Sequence, residues 1–157
     1  MLTVAKYIHL LSLVVWIGSI VFFSFIGAPT IFKTLDRQTA GDVVGAIFPK
    51  YFTLWQVCSV LAAITVAYIG LKEGFGVYLK TGLALLVLMG AITAYSSMVN
   101  APAAREVKAE IRAEADESAK AELKKKFAKL HGVSMVLNLM TLVLGLALLY
   151  FAMRYLA

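Results

Sequence analysis

What this sequence lacks first is charge. Only 15% of its 157 residues are Asp, Glu, Lys or Arg, 61% are hydrophobic, and mean hydropathy is +0.85. A soluble domain is about 45 to 50% apolar, so a water-soluble fold of this size has no way to hide so much apolar surface. Cysteine is nearly absent: the one residue, Cys58, excludes an intramolecular disulfide and any cysteine-based metal motif, and reads as a small buried hydrophobe. No acidic residue falls within a long apolar run, which argues against a proton-coupled transporter. Missing as well are a nucleophile with a base at workable spacing, a phosphate-cradling glycine loop, and any nucleic-acid-binding motif. Enzyme status therefore has no positive support from spacing.

What is present is apolar length. Four uncharged runs, 7–32, 51–71, 81–102 and 130–153, each reach the roughly 20 residues needed to cross a hydrocarbon core about 30 Å thick. The first follows Lys6 but outruns a secretory hydrophobic region, and Gly27-Ala28-Pro29 is a poor cleavage site, so it reads as a retained helix. The predicted fold is all-α, a single integral-membrane four-helix bundle with a long amphipathic cytoplasmic extension before the fourth helix. Residues 40–47 are expected to form a short separate helix in the interface, ahead of Pro49 and the aromatic belt Phe48, Tyr51, Phe52 and Trp55. The stretch 103–129 is rich in Ala, Glu and Lys and is predicted helical throughout, with Asp116–Lys120 and Glu122–Lys126 pairs.

Basic residues are unevenly shared. Eleven of the fifteen flank one side of the spans, in loops 33–50 and 103–129, and four flank the other. The positive-inside tendency places the eleven in the cytoplasm and both termini in the periplasm of a bacterial inner membrane. The expected partners are the lipid bilayer and a homo-oligomer or larger membrane complex, with no nucleic acid.

Polar groups in a bilayer are costly and mark functional candidates. His9, Ser12, Trp16 and Ser19 fall on one stripe of the first span, and His131, Ser134, Asn138 and Thr141 repeat those offsets in the fourth. Asn138 reads as the most deeply buried amide, in need of an interhelical partner. The two histidines belong at opposite ends of the bundle, on the order of 20 Å or more apart, which excludes one haem or metal held between them. Each could act separately, with Met153 near His9 and with Met98 and Met135 near His131, as imidazole–thioether sets for haem or copper. The candidate cofactor-binding residues are His9, Trp16, His131, Ser134 and Asn138, with His9 and His131 as candidate metal ligands and no catalytic residue named.

The blocks Ile8-His9-Leu10-Leu11-Ser12, Trp16-Ile17-Gly18, Ala28-Pro29, Gly45-Ala46-Ile47-Phe48-Pro49-Lys50-Tyr51-Phe52 and Leu130-His131-Gly132-Val133-Ser134-Met135 resemble the transmembrane protein 205-like family, also labelled domain of unknown function 4149. That resemblance implies a four-helix membrane protein. The first helix is also similar to the copper-resistance protein D family and to the membrane protoporphyrinogen oxidase of the haem pathway, which implies metal or haem handling. The reading is a binding or transport-related module for a metal, haem or hydrophobic ligand. Its rivals are a non-catalytic subunit or assembly factor of a larger complex and, third, a haem-dependent redox enzyme.

Overall fold

A computed structural model describes all residues from Met1 to Ala157. Four long helices carry the chain: α1 (Leu2–Thr34), α2 (Arg37–Glu73), α3 (Val77–Ala113) and α4 (Glu117–Leu156). Each is apolar and long enough to cross a bilayer, and the chain is a multi-pass membrane protein of four spans. The helices run up and down, and every junction has a local cause.

Between α1 and α2, Leu35 is extended and Asp36 caps α2 by accepting from the backbone N–H groups of Gln38 (3.0 Å) and Thr39 (3.1 Å). Hydrogen bonding from Thr39, first its side chain and then its backbone, holds the Asp36 carboxyl below its usual range. Between α2 and α3, Gly74 takes a φ of 91°, a left-handed conformation that glycine accepts without strain. Between α3 and α4, Asp116 accepts from the Ala119 N–H at 2.7 Å and starts α4.

Two expectations need correction. The stretch 40–47 is not a separate interfacial helix but the opening turns of α2, which continues unbroken through Pro49. A membrane helix tolerates an internal proline at the loss of one backbone bond, here to the Gly45 carbonyl four residues earlier, and one turn on the Thr53 hydroxyl donates to the Pro49 carbonyl at 2.9 Å. Nor is there an extension before the fourth helix as an element of its own. Residues 103–113 finish α3 and 117–129 begin α4, the break at 114–116 being the turn that folds one helix back on the other. The Asp116 carboxylate is engaged as a cap, and the ion pairs that form are Lys120–Glu117 and Lys125–Glu122, three residues apart, rather than those expected at four.

The core lies along the centre of the bundle, where Leu13, Trp16, Ile20, Ile69, Met89 and Leu148 are fully buried. Small residues let the helices close there: a Cβ on Gly145 would stand 2.8 Å from Ile17, and one on Gly82 would stand 2.6 Å from the ring of Tyr155. Outside that core two helices depart from α geometry. α1 makes a π-helical turn at Phe23–Gly27 and α3 makes another at Ser96–Asn100. Such turns are rare and frequently border functional sites.

Candidate functional site

The two π turns and the Pro49 region of α2 surround one cleft. Its deeper lobe, about 330 Å³, is walled by the aromatic rings of Phe23, Phe48, Tyr51, Phe52 and Trp55 and carries Ser24, Ser96, His131, Ser134, Asn138 and Thr141. The aromatic wall is continuous: Phe23 lies 5.7 Å from Phe48 and 5.1 Å from Tyr51, and Tyr51 lies 4.2 Å from Trp55, measured between ring centroids. These aromatics, expected from the sequence to form an interfacial belt, wall the cleft. A second lobe of about 280 Å³ shares Phe32, Val44, Phe48, Phe52, His131 and Ser134 with the first and opens toward Arg37, Arg105 and Lys108.

The polar groups of the deeper lobe are fixed by bonds between helices. Asn138 on α4 donates to Ser24 Oγ in the α1 π turn at 2.8 Å, the interhelical partner that its depth demands. Asn100 at the end of the α3 π turn donates to Ser134 Oγ at 2.6 Å and to the Leu130 carbonyl at 3.2 Å. Asn100, 3% exposed, is the most buried amide, where the sequence pointed to Asn138, which is half-buried beside the cleft. Trp55 donates to Ser19 Oγ at 3.0 Å, and Tyr51 donates to the Ser19 carbonyl at 3.0 Å. His131 is exposed at the rim, its ring stacked near Phe127 at 6.2 Å and 9° between planes.

His9 has the opposite surroundings. It is completely buried, with Nδ1 3.1 Å from the Ala62 carbonyl and 3.0 Å from Thr65 Oγ1, and Nε2 2.6 Å from Tyr155 Oη. A carbonyl only accepts, so Nδ1 carries the proton, and the Tyr155 hydroxyl donates to Nε2. Both ring nitrogens are thus engaged, and His9 ties α1 to α2 and α4. Lys6 reinforces the same end, pairing with Glu73 at 2.9 Å and donating to the Leu156 carbonyl at 3.0 Å.

Of the five residues singled out from the sequence, His131, Ser134 and Asn138 meet in the cleft. Trp16 does not line it, being fully buried in the core with no acceptor for its indole N–H. His9 lies at the far end, beside Tyr155, which is 24 residues or about 36 Å of helix from His131. No three His, Cys, Asp or Glu side chains gather, Met98 and Met153 are exposed, and both ring nitrogens of His9 are engaged, whereas His131 and Met135 both line the cleft.

Sequence reasoning missed Asn100, Tyr155, Thr65 and Ser24. The signal for Asn100 is its place one turn after Ser96-Ser97 and two residues before Pro102. Nothing local distinguishes Tyr155, whose partner lies 146 residues away.

Residues 11–113 match the family model described as a domain of unknown function, DUF4149. The chain belongs to this family. A protein of Aquifex aeolicus (strain VF5), described as uncharacterized, is 37% identical over 137 residues, covering 87% of this chain and 86% of the relative. No solved structure matches the chain. The family match runs from residue 11, within α1, to the end of α3 and stops before the fourth helix, which carries four of the cleft's polar residues.

Proposed function

We propose that this protein is a membrane-embedded binding module that holds a hydrophobic ligand in the cleft between its four helices. The observation that carries the reading is the cleft itself. It is a continuous aromatic chamber with a few convergent polar groups, Ser134, Asn138 and His131, bordered by two π turns. Ligand sites in general are concave, mostly apolar and furnished with a small number of placed polar groups. On the positive-inside argument the mouth, with Arg37, Arg105 and Lys108, faces the cytoplasm.

Binding is favoured over conduction because the far half of the bundle is packed shut by Leu13, Trp16, Met89 and Leu148 and clamped by His9. The resemblance to the transmembrane protein 205-like family agrees with a small four-helix module. The similarity to the copper-resistance protein D family would carry a metal role chiefly onto His9, whose nitrogens are already spent on Ala62, Thr65 and Tyr155.

The test is photo-crosslinking in reconstituted bilayers with a diazirine-bearing fatty-acyl probe, mapped by peptide mass spectrometry. Adducts on Phe52 and Ser134 are expected to fall on competition with unlabelled fatty acid and to vanish in Ser134→Phe, while adducts on lipid-facing Met153 persist. Labelling that simply follows surface exposure, with no competition in the cleft, contradicts the proposal.

A further inference from the structure

We infer that the ligand of this cleft is a phospholipid of net negative charge, with its phosphate at the basic mouth and an acyl chain in the aromatic lobe; this rests on the binding reading above. The first ground is an imbalance of charge. Arg37, Arg105 and Lys108 line the outer lobe, and no carboxylate lines either lobe. Asp42 accepts from Lys108 at 2.8 Å and also from Arg112, so two cations share one carboxylate. Arg37 and Arg105 are in no ion pair at all. The mouth is therefore left with uncompensated positive charge at the edge of an apolar chamber, which a lipid with an anionic head would neutralise.

The second ground is the kind of donor. Guanidinium groups meet phosphate oxygens in bidentate fashion and lysine adds a point charge, so two arginines and a lysine suit an anion with several oxygens better than a single carboxylate. The third is continuity. Phe32, Phe48 and Phe52 wall both lobes, so a head held at the arginines has its chain directed into the aromatic lobe without crossing a polar barrier. A soluble phosphate compound would leave that lobe unused.

The experiment is native mass spectrometry of the full chain in mild detergent with three lipids of identical acyl chains: dioleoyl phosphatidic acid, dioleoyl phosphatidylcholine and dioleoylglycerol. Wild type is expected to retain phosphatidic acid at least about tenfold better than the other two, the size of one or two charge-assisted hydrogen bonds. The double substitution Arg37→Gln with Arg105→Gln, at exposed positions outside the core, is expected to erase that preference. Lys124→Gln, which removes an exposed charge away from the cleft, is expected to keep it. Equal retention of all three lipids overturns the headgroup inference and leaves the binding reading standing. A preference lost equally in Lys124→Gln also overturns it, because general surface charge then explains the effect. Retention of none of the three overturns both.

Discussion

The two histidines of this chain stand on stripes with the same spacing, yet their surroundings differ completely. His9 is sealed among three helices with each ring nitrogen in a hydrogen bond, whereas His131 stands exposed at the rim of an aromatic cleft. A polar stripe on a membrane helix thus identifies the face that turns inward. It does not tell whether neighbouring helices fill the space in front of that face. At the His9 end Tyr155 and Thr65 fill it; at the other end two π turns and Pro49 hold the helices off and leave room.

The sharpest way to break this comparison is to truncate both histidines. His9→Ala is expected to lower stability by about 2 to 4 kcal/mol, since it opens a cavity and leaves the Tyr155 hydroxyl without its partner. His131→Ala is expected to stay within about 0.5 kcal/mol, as exposed substitutions do. Reversible unfolding in mixed micelles measures both, and equal losses would erase the distinction. Gly82→Ala should act in the direction of His9→Ala, because its methyl collides with the Tyr155 ring and displaces the hydroxyl from Nε2.

Next in size is Asn100→Ala, expected to cost about 1 kcal/mol through the loss of its bonds to Ser134 and Leu130. It also loosens the cleft wall, so the crosslinking yield at Ser134 should change with it. A stability loss with unaltered cleft labelling would separate Asn100 from the site.

The smallest effect is expected at Asp42, an exposed carboxylate. Its hydrogen bond from Lys108 is the main reason its carboxyl is held below the usual range, with the charges of Lys108 and Arg112 adding to it. A carboxylate with a depressed folded pKa contributes its stabilisation above the unfolded value of about 3.9, and that contribution is lost as pH falls through the folded value. Asp42→Asn should therefore remove a small stabilisation near neutral pH, change nothing at low pH where the carboxyl is protonated, and flatten the acid limb of the stability profile. It also frees Lys108 and Arg112, so retention of phosphatidic acid should rise a few-fold, the range of an exposed ion pair. A fall in retention would mean that Asp42 itself organises the mouth.

Much of the fold is legible in the residues alone. Four runs without charge mark four spans, whereas the cluster Phe48, Tyr51, Phe52 and Trp55 reads as a belt and only the packed helices turn it into a cleft wall. Helix continuity is harder to read. Pro49 looks like a boundary, yet α2 runs through it because one lost backbone bond is small against the bonds on either side. The Ala- and Glu-rich stretch 103–129 looks continuous, yet Asp116 caps a new helix within it. Of the site, Ser134 and Asn138 are found by their depth, while Ser24 and Asn100 are not. Their contribution depends on π turns, which add a residue to the helical turn and rotate the stripe out of its regular spacing.

The most direct test of the central contrast uses the two tryptophans as reporters, since Trp55 lines the cleft and Trp16 lies in the sealed core. Trp16→Phe and Trp55→Phe each leave a single indole, and each protein is titrated in detergent with a lipid bearing bromine on its acyl chain. The account predicts saturable quenching of Trp55 and little quenching of Trp16; equal quenching of both, or quenching of Trp55 that never saturates, contradicts it.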